Sequence, residues 1–304
     1  MRKWQICPEL TNACNMRCVL CPHSIEGMKG KSGNIYNRKS GLMGIDLWLK
    51  CLAAAKVYAK ELSLGFFGEQ TMHPAFSQML SMIPLSRKYR VVLNTNWSYV
   101  TKEDMAAMLL HVDELRISLD ALNPETYAKI CNVQGSFYDL NGHICSVPRD
   151  YLPAIEEKIL DWIGKPHPKT KLIFTVSSYN KKETGHFIKK WRHLLQRRDS
   201  VCVKSCISFG GIMRDVVMRR YKCTIPKEKR LIIGYDGTCS PCNLDVNLAL
   251  NIGDMNEVGD LKDIIQSQRY RVVMAGIRRK KGICKNCFDA NNRRFTRNYP
   301  GRKK

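Results

Sequence analysis

Three cysteines within eight residues, Cys14, Cys18 and Cys21 in the spacing C-x3-C-x2-C, constrain this chain more than any other feature. Thiolates are soft ligands that suit zinc or iron–sulfur clusters. A tight loop lets three sulfurs wrap three corners of a cubane cluster and leaves one iron without a protein ligand, which is a site for chemistry. A zinc knuckle that borrows Cys7 or His23 as its fourth ligand is the other reading of the same spacing. A second group, Cys223, Cys239, Cys242, Cys284 and Cys287, lies toward the C-terminal end. The N-terminal residues lead into polar sequence rather than an apolar signal stretch, so a reducing, cytoplasmic setting is expected. There, fourteen cysteines point to metal binding or catalysis before a disulfide framework. Seven suffice for two sites; Cys51, Cys131, Cys145, Cys202 and Cys206 read as small buried hydrophobes.

With 304 residues and 44% hydrophobic content, the chain can build one large or two ordinary domains around a core, which excludes wholesale disorder. No run approaches the ~18 apolar residues of a spanning helix. Short strand-like and helix-like runs alternate along the first 210 residues, the pattern of a parallel sheet with crossover helices. Strands are expected near residues 5–11, 61–67, 90–94, 114–119, 171–177 and 201–208. Helices are expected near 45–59, 75–83, 102–110, 124–130 and 182–196, with one more near 153–163 in a long connection. Thr101 followed by Asp104, and Asn123-Pro124-Glu125, read as helix starts. Gly27 to Gly44, rich in Gly, Lys, Asn and Ser, reads as a mobile surface loop beside the first cysteine cluster.

The first cluster carries a resemblance. Thr11-Asn12-Ala13-Cys14-Asn15-Met16-Arg17-Cys18-Val19-Leu20-Cys21-Pro22 resembles the signature loop of the radical S-adenosylmethionine (SAM) enzymes. Phe67-Gly68-Glu69 resembles that family's Gly-Glu motif, and Asn94-Thr95-Asn96 and Ser118-Leu119-Asp120 resemble its TNG and SLD sequences. All four fall at the C-terminal ends of expected strands, where barrel active sites are built. Two departures stand out: Trp97 replaces the usual Gly, and Gln70-Thr71-Met72 replaces Pro-Leu-Leu.

The resemblance implies a partial (β/α)6 TIM-like barrel over residues 1–210. It implies a SAM-binding [4Fe-4S] cluster on Cys14, Cys18 and Cys21, with Gly68, Glu69, Asn94, Asn96, Ser118 and Asp120 around SAM. Reductive cleavage of SAM then yields a 5′-deoxyadenosyl radical that abstracts a substrate hydrogen. An electron donor such as flavodoxin or ferredoxin is the expected partner.

The second group has two readings. Cys239-x2-Cys242 with Cys284-x2-Cys287 reads as a zinc ribbon. Against that, Tyr235-Asp236-Gly237-Thr238-Cys239-Ser240-Pro241-Cys242 resembles the turn of the SPASM and twitch extensions of radical SAM enzymes. That resemblance implies a small α+β cluster-binding domain over residues 211–290. One auxiliary [4Fe-4S] cluster would be held by Cys223, Cys242, Cys284 and Cys287, with a strand near Asn251–Asp254 and a helix near Leu261–Ile265. Cys239 is the alternative ligand; if free, it is either packed in the core or a hydrogen-atom donor to a substrate radical.

With a donor thiol the product is an epimer; with electron loss to the auxiliary cluster it is a dehydrogenated compound. Because the signature begins at Cys14, no N-terminal peptide-recognition domain is expected, which favours a small sugar-like substrate over a peptide. A peptide epimerase or maturase is the alternative, and an RNA-binding or RNA-modifying protein a more distant one. Residues 291–304 form a basic tail. Residues 276–304 carry 11 Lys+Arg and one acid, +10 of a formal +23, a charge that suits a phosphate-bearing ligand.

Overall fold

Six parallel strands alternate with helices in the computed structural model, which describes residues 3–25, 36–210, 212–213, 223–287 and 296–303. The strands are β1 (Trp4–Pro8), β2 (Ala59–Leu64), β3 (Arg90–Thr95), β4 (Glu114–Ser118), β5 (Lys169–Val176) and β6 (Ser200–Ser205). Between them run α1 (Ile45–Tyr58), α2 (Phe76–Ser81), α3 (Lys102–His111), α4 (Pro124–Cys131), α5 (Tyr151–Ile163) and α6 (Thr184–Leu194). Each lies within a few residues of its expected place.

The helix starts follow the local chemistry of the sequence. Thr101 and Asp104 close a capping box at α3, each satisfying a backbone N–H of the other. Asn123 accepts from the Glu125 and Thr126 N–H groups at α4, and Pro124 sits where no donor is needed. Apolar side chains of both layers, with Trp48, Trp97 and Trp191 fully enclosed, form one continuous core.

The sheet extends beyond the six strands. β7 (Arg230–Ile233) pairs in parallel with β1, β8 (Thr238–Ser240) folds back on β7, and β9 (Gly253–Asp254) on β8. At the other edge β10 (Arg297–Pro300) pairs antiparallel with β6. The order is β10-β6-β5-β4-β3-β2-β1-β7-β8-β9, so the described strands form an open, curled sheet rather than a closed barrel. After β9 come α7 (Leu261–Ile265), at the expected place, and α8 (Gln268–Arg278), capped by Ser267.

One expectation is revised. The described part of the 27–44 connection is tied down, since Tyr36 is buried and Asn12 bonds to both Lys39 O and Gly41 N. The remainder of that connection lies outside the described residues. The basic tail is docked where it is described, as β10; Arg293, Arg294 and Phe295 lie outside the described residues. No helix among the described residues is long and apolar enough to cross a membrane.

Candidate active site

A cavity of about 640 Å3 opens at the C-terminal ends of the parallel strands. Cys14, Cys18 and Cys21 line it, and so do all six residues expected around SAM, Gly68, Glu69, Asn94, Asn96, Ser118 and Asp120.

The loop after β2 is bonded to the cysteine loop. Gly68 has φ +76°, and a Cβ there would stand 2.6 Å from the Asn12 carbonyl carbon and 2.7 Å from Ala13 O, so only glycine fits. Beside it, Glu69 N donates to Ala13 O at 2.8 Å. Gln70, fully buried, accepts from Leu10 N (2.7 Å) and donates to Thr11 O (3.1 Å) and Phe67 O (2.8 Å). Its side chain thus ties the loop after β2 to the start of the cysteine loop.

Glu69 is itself a brace. Its carboxylate accepts from Thr71 Oγ1 (2.8 Å), Thr95 Oγ1 (2.7 Å) and Asn96 N (2.6 Å), joining the loops after β2 and β3. Burial pushes this carboxyl up, and those donors oppose it. Asn96 Nδ2 donates to Asn15 Oδ1 (3.1 Å) and lies 3.7 Å from Cys14 Sγ, so the β3 loop reaches the first thiol directly. Asn94 Nδ2 donates to Leu64 O at 3.2 Å. Asp120 Oδ1 accepts from Thr175 N at 2.5 Å, fixing β4 against β5, while burial raises its carboxyl.

The three thiols sense one another. Cys14 is raised well above the usual thiol range, first by burial, then by Cys18 and Glu69. Cys21 is pushed up to about 12 by burial, with Cys18 adding to it. Cys18 is raised first by its hydrogen bond with Cys131, then by burial. His23 stacks on Phe67 at 4.3 Å and meets Tyr36 edge-on, so its ring belongs to an aromatic cluster. Among the described residues no three His, Cys, Asp or Glu side chains gather closely enough for a single metal ion. A cubane meets each thiolate at a different iron, and three soft donors on one loop facing a cavity fit that group.

The C-terminal thiols separate into two sets. Cys242 packs with Ile225, Met274 and Ile277, against Cys223 and Cys284. Burial raises its thiol, and Cys287 and Cys223 add to the effect. Cys284 is pushed up to about 12 by burial, again with Cys287 and Cys223 contributing. Cys239, on β8, is fully buried in the main core, where burial and then Cys51 raise it. It does not line the cavity. The structure therefore sets Cys242 and Cys284 near Cys223 and Cys287 and packs Cys239 in the main core instead.

Sequence reasoning missed several cavity residues. Arg116, Lys171, Lys204 and Arg230 line it, and so do Thr296 and Asn298, contributed by the C-terminal strand and the residue before it. Period-two counting back from Ser118 would have pointed Arg116 inward; nothing local marks Thr296 or Asn298.

A family model described as the Radical SAM superfamily matches residues 9–141, and one described as an iron-sulfur cluster-binding domain, SPASM, matches residues 223–288. This chain carries a radical SAM domain over residues 9–141 and a SPASM-type domain over residues 223–288. It is an enzyme of SAM radical chemistry, with SAM and a [4Fe-4S] cluster as cofactors of the first domain and further iron–sulfur in the second. No curated protein matches it in sequence. Among solved structures, BtrN in complex with AdoMet and 2-DOIA is similar at TM-score 0.57 and 16% identity, covering 94% of this chain and 93% of BtrN. Streptococcus suis SuiB bound to precursor peptide SuiA is similar at TM-score 0.67 and 12% identity, over 96% of this chain and 71% of SuiB. Native anSMEcpe with bound AdoMet gives TM-score 0.60 and 13% identity, over 95% of this chain and 90% of anSMEcpe. At these identities the likeness is one of fold.

Proposed function

We propose that this radical SAM enzyme removes hydrogen from a small, polar, sugar-like molecule and releases a dehydrogenated product. Cys14, Cys18 and Cys21 hold the SAM-binding cluster; Gly68, Glu69, Asn94, Asn96, Ser118 and Asp120 shape the SAM pocket. Cys223, Cys242, Cys284 and Cys287 hold the auxiliary cluster, and a flavodoxin or ferredoxin delivers the electron. The chemistry these groups supply when bound is a reductively generated 5′-deoxyadenosyl radical. The chain's own part is to bind, orient and exclude water. Gln70 and Glu69 stiffen the loops that carry the thiols and the SAM pocket. Gln5, Ser63, Asn243 and Asn298 offer hydrogen bonds to substrate hydroxyls from the same cavity.

The observation that carries this reading is that the three thiols, the strand-end motifs and these polar side chains all line one cavity of about 640 Å3. That volume is within the range of ~300–1,000 Å3 typical of small-molecule sites. The placement of Cys239 in the core favours dehydrogenation over epimerisation by that thiol. Epimerisation remains the second reading because Cys7, Cys202 and Cys206 line the cavity. SuiB and anSMEcpe were solved with peptides bound, so peptides belong in the substrate panel.

Incubating anaerobically reconstituted enzyme with SAM, dithionite and candidate sugars or peptides in deuterated water separates these outcomes. A product lighter by two hydrogens is expected; deuterium in an isomeric product would instead establish epimerisation. Cys14→Ala, Cys18→Ala and Cys21→Ala should each abolish 5′-deoxyadenosine formation, and its retention in all three would overturn the assignment.

A further inference from the structure

Four strands each send one cation into the same cavity: Arg116 from β4, Lys171 from β5, Lys204 from β6 and Arg230 from β7. Arg116 and Lys171 are register partners, so two like charges face each other across adjacent strands, an arrangement that repels. Glu114 bridges them, accepting from Arg116 Nε at 2.7 Å and Lys171 Nζ at 2.8 Å, and takes Arg90 at 3.0 Å as well. Although burial opposes ionisation, Lys171 and Arg116 hold this carboxyl down at about 2. Arg230 donates to Gln5 Oε1 (2.7 Å) and Asn243 Oδ1 (2.5 Å) and pairs with Glu228 at 3.1 Å. The Lys204 ammonium makes no hydrogen bond or ion pair among the described residues; the acid that feels it is Asp120, whose carboxylate is bonded to Thr175 N.

These charges converge on one volume. Burial raises the Cys202 thiol, and Lys204, Lys171 and Arg116 all pull it back. Cys7 is raised to about 12 by burial, with Arg230 the first influence against it and Arg116 a further one. Both thiols line the cavity, so Arg116 acts on the same space as the other three cations. Three carboxylates, Glu61, Glu114 and Glu228, answer five cations once Arg90 is counted. The other acids of the wall, Glu69 and Asp120, are already engaged by Thr71, Thr95, Asn96 and Thr175. Holding unmatched cations in a shared cavity is unfavourable unless an anion completes them.

We propose that Arg116, Lys171, Lys204 and Arg230 form a subsite for a phosphate group carried by the substrate. A phosphate monoester presents close to two negative charges and three acceptor oxygens, a better match than a carboxylate for donors arriving from four strands. The two guanidinium groups supply planar forks and the two ammonium groups point charges. The proposal rests on reading the cavity as the substrate chamber and narrows the substrate class from polar, sugar-like molecules to their phosphate esters.

The test is calorimetric titration of the full, anaerobically reconstituted chain at constant ionic strength with ribose 5-phosphate, ribose, inorganic phosphate and acetate. Ribose 5-phosphate should bind where ribose does not, and Lys204→Met and Arg230→Gln should each weaken it about tenfold or more, the scale of losing one charged hydrogen bond. Lys204→Arg, which keeps the charge, should restore binding. Iron content and circular dichroism establish that each variant is folded; if Arg230→Gln is not, the Lys204 pair decides alone. Equal binding of ribose and ribose 5-phosphate, or unchanged affinity in Lys204→Met, overturns the proposal. Stronger binding of acetate than of inorganic phosphate overturns it in favour of a carboxylate, and binding of inorganic phosphate without ribose 5-phosphate removes the substrate role. Failure of the radical SAM reading has its own signature, a reduced-cluster paramagnetic resonance spectrum that does not change when SAM is added, and leaves the phosphate arms interpretable.

Discussion

Trp97 occupies a conformation that glycine usually fills. Its φ of +66° is left-handed, which costs a bulky residue about 1–2 kcal/mol. Full burial and edge-on packing against Trp162, ring centres 5.5 Å apart, supply the compensating contacts. The departure from the family's Gly is therefore absorbed by the core behind the loop rather than by the cavity wall, which Trp97 does not line. The cysteines divide by surroundings in the same way. Cys239→Ala should keep its full iron complement and lose about 1–2 kcal/mol of stability, the penalty for a small hole in a packed core. Cys242→Ala should lose about four irons per chain, one cluster's worth. Iron analysis with thermal unfolding checks both, and the reverse pattern would exchange the two assignments.

Among the elements, β10 carries the largest functional consequence. The segment is held by β6 and by α6 with its exit, through Arg302 N to Arg192 O (2.7 Å), Lys303 N to Leu195 O (3.1 Å) and Arg192 Nε to Pro300 O (2.9 Å). Gly301 makes this approach possible, because a Cβ there would collide with the carbonyl oxygens of Leu195 and Gln196. Gly301→Val should dislodge the strand, expose the β6 edge and remove Thr296 and Asn298 from the cavity wall. Substrate KM should rise about tenfold or more while SAM cleavage without substrate is retained, since the cysteine loop lies across the sheet. Steady-state kinetics of the two reactions measures the split; an unchanged KM would show that the cavity does not need β10.

At the scale of the whole molecule, the sheet joins the two cluster regions. β1, which leads into the first cysteine loop, is paired on its other side with β7, which opens the C-terminal domain. The joint is reinforced by a buried ion pair, Arg38 to Glu9 at 2.5 Å, and Arg38 also donates to Val246 O. Tyr58 donates to Asp260 at 2.6 Å and Lys50 to Asn256 O at 2.8 Å, so α1 is bonded to the C-terminal domain as well. Beyond this seam the domain has short strands and, among the described residues, two α-helices, and Cys242, Cys223 and Cys284 pack in a small core of their own that a bound cluster would complete. Anaerobic removal of iron should therefore raise hydrogen exchange much more in residues 223–287 than in strands β1 to β6. Exchange mass spectrometry reads the difference, and a uniform rise would mean that the domain is held by the sheet alone.

Much of this was legible in sequence because it is written in short windows. Period-two runs, caps such as Thr101 with Asp104, and three thiols within one loop depend on neighbours a few residues apart, and local geometry follows from them. The sequence by itself determined the βα alternation, the cysteine loop and the motif residues at the strand ends, all of which reach one cavity. Tertiary structure alone decided which of Cys239 and Cys242 packs beside Cys223 and Cys284, that Arg297–Pro300 of the basic tail becomes β10, and that four cations from separate strands line one cavity. Each of those depends on residues far apart in the chain being brought together by strand pairing and core packing, so no local pattern encodes it.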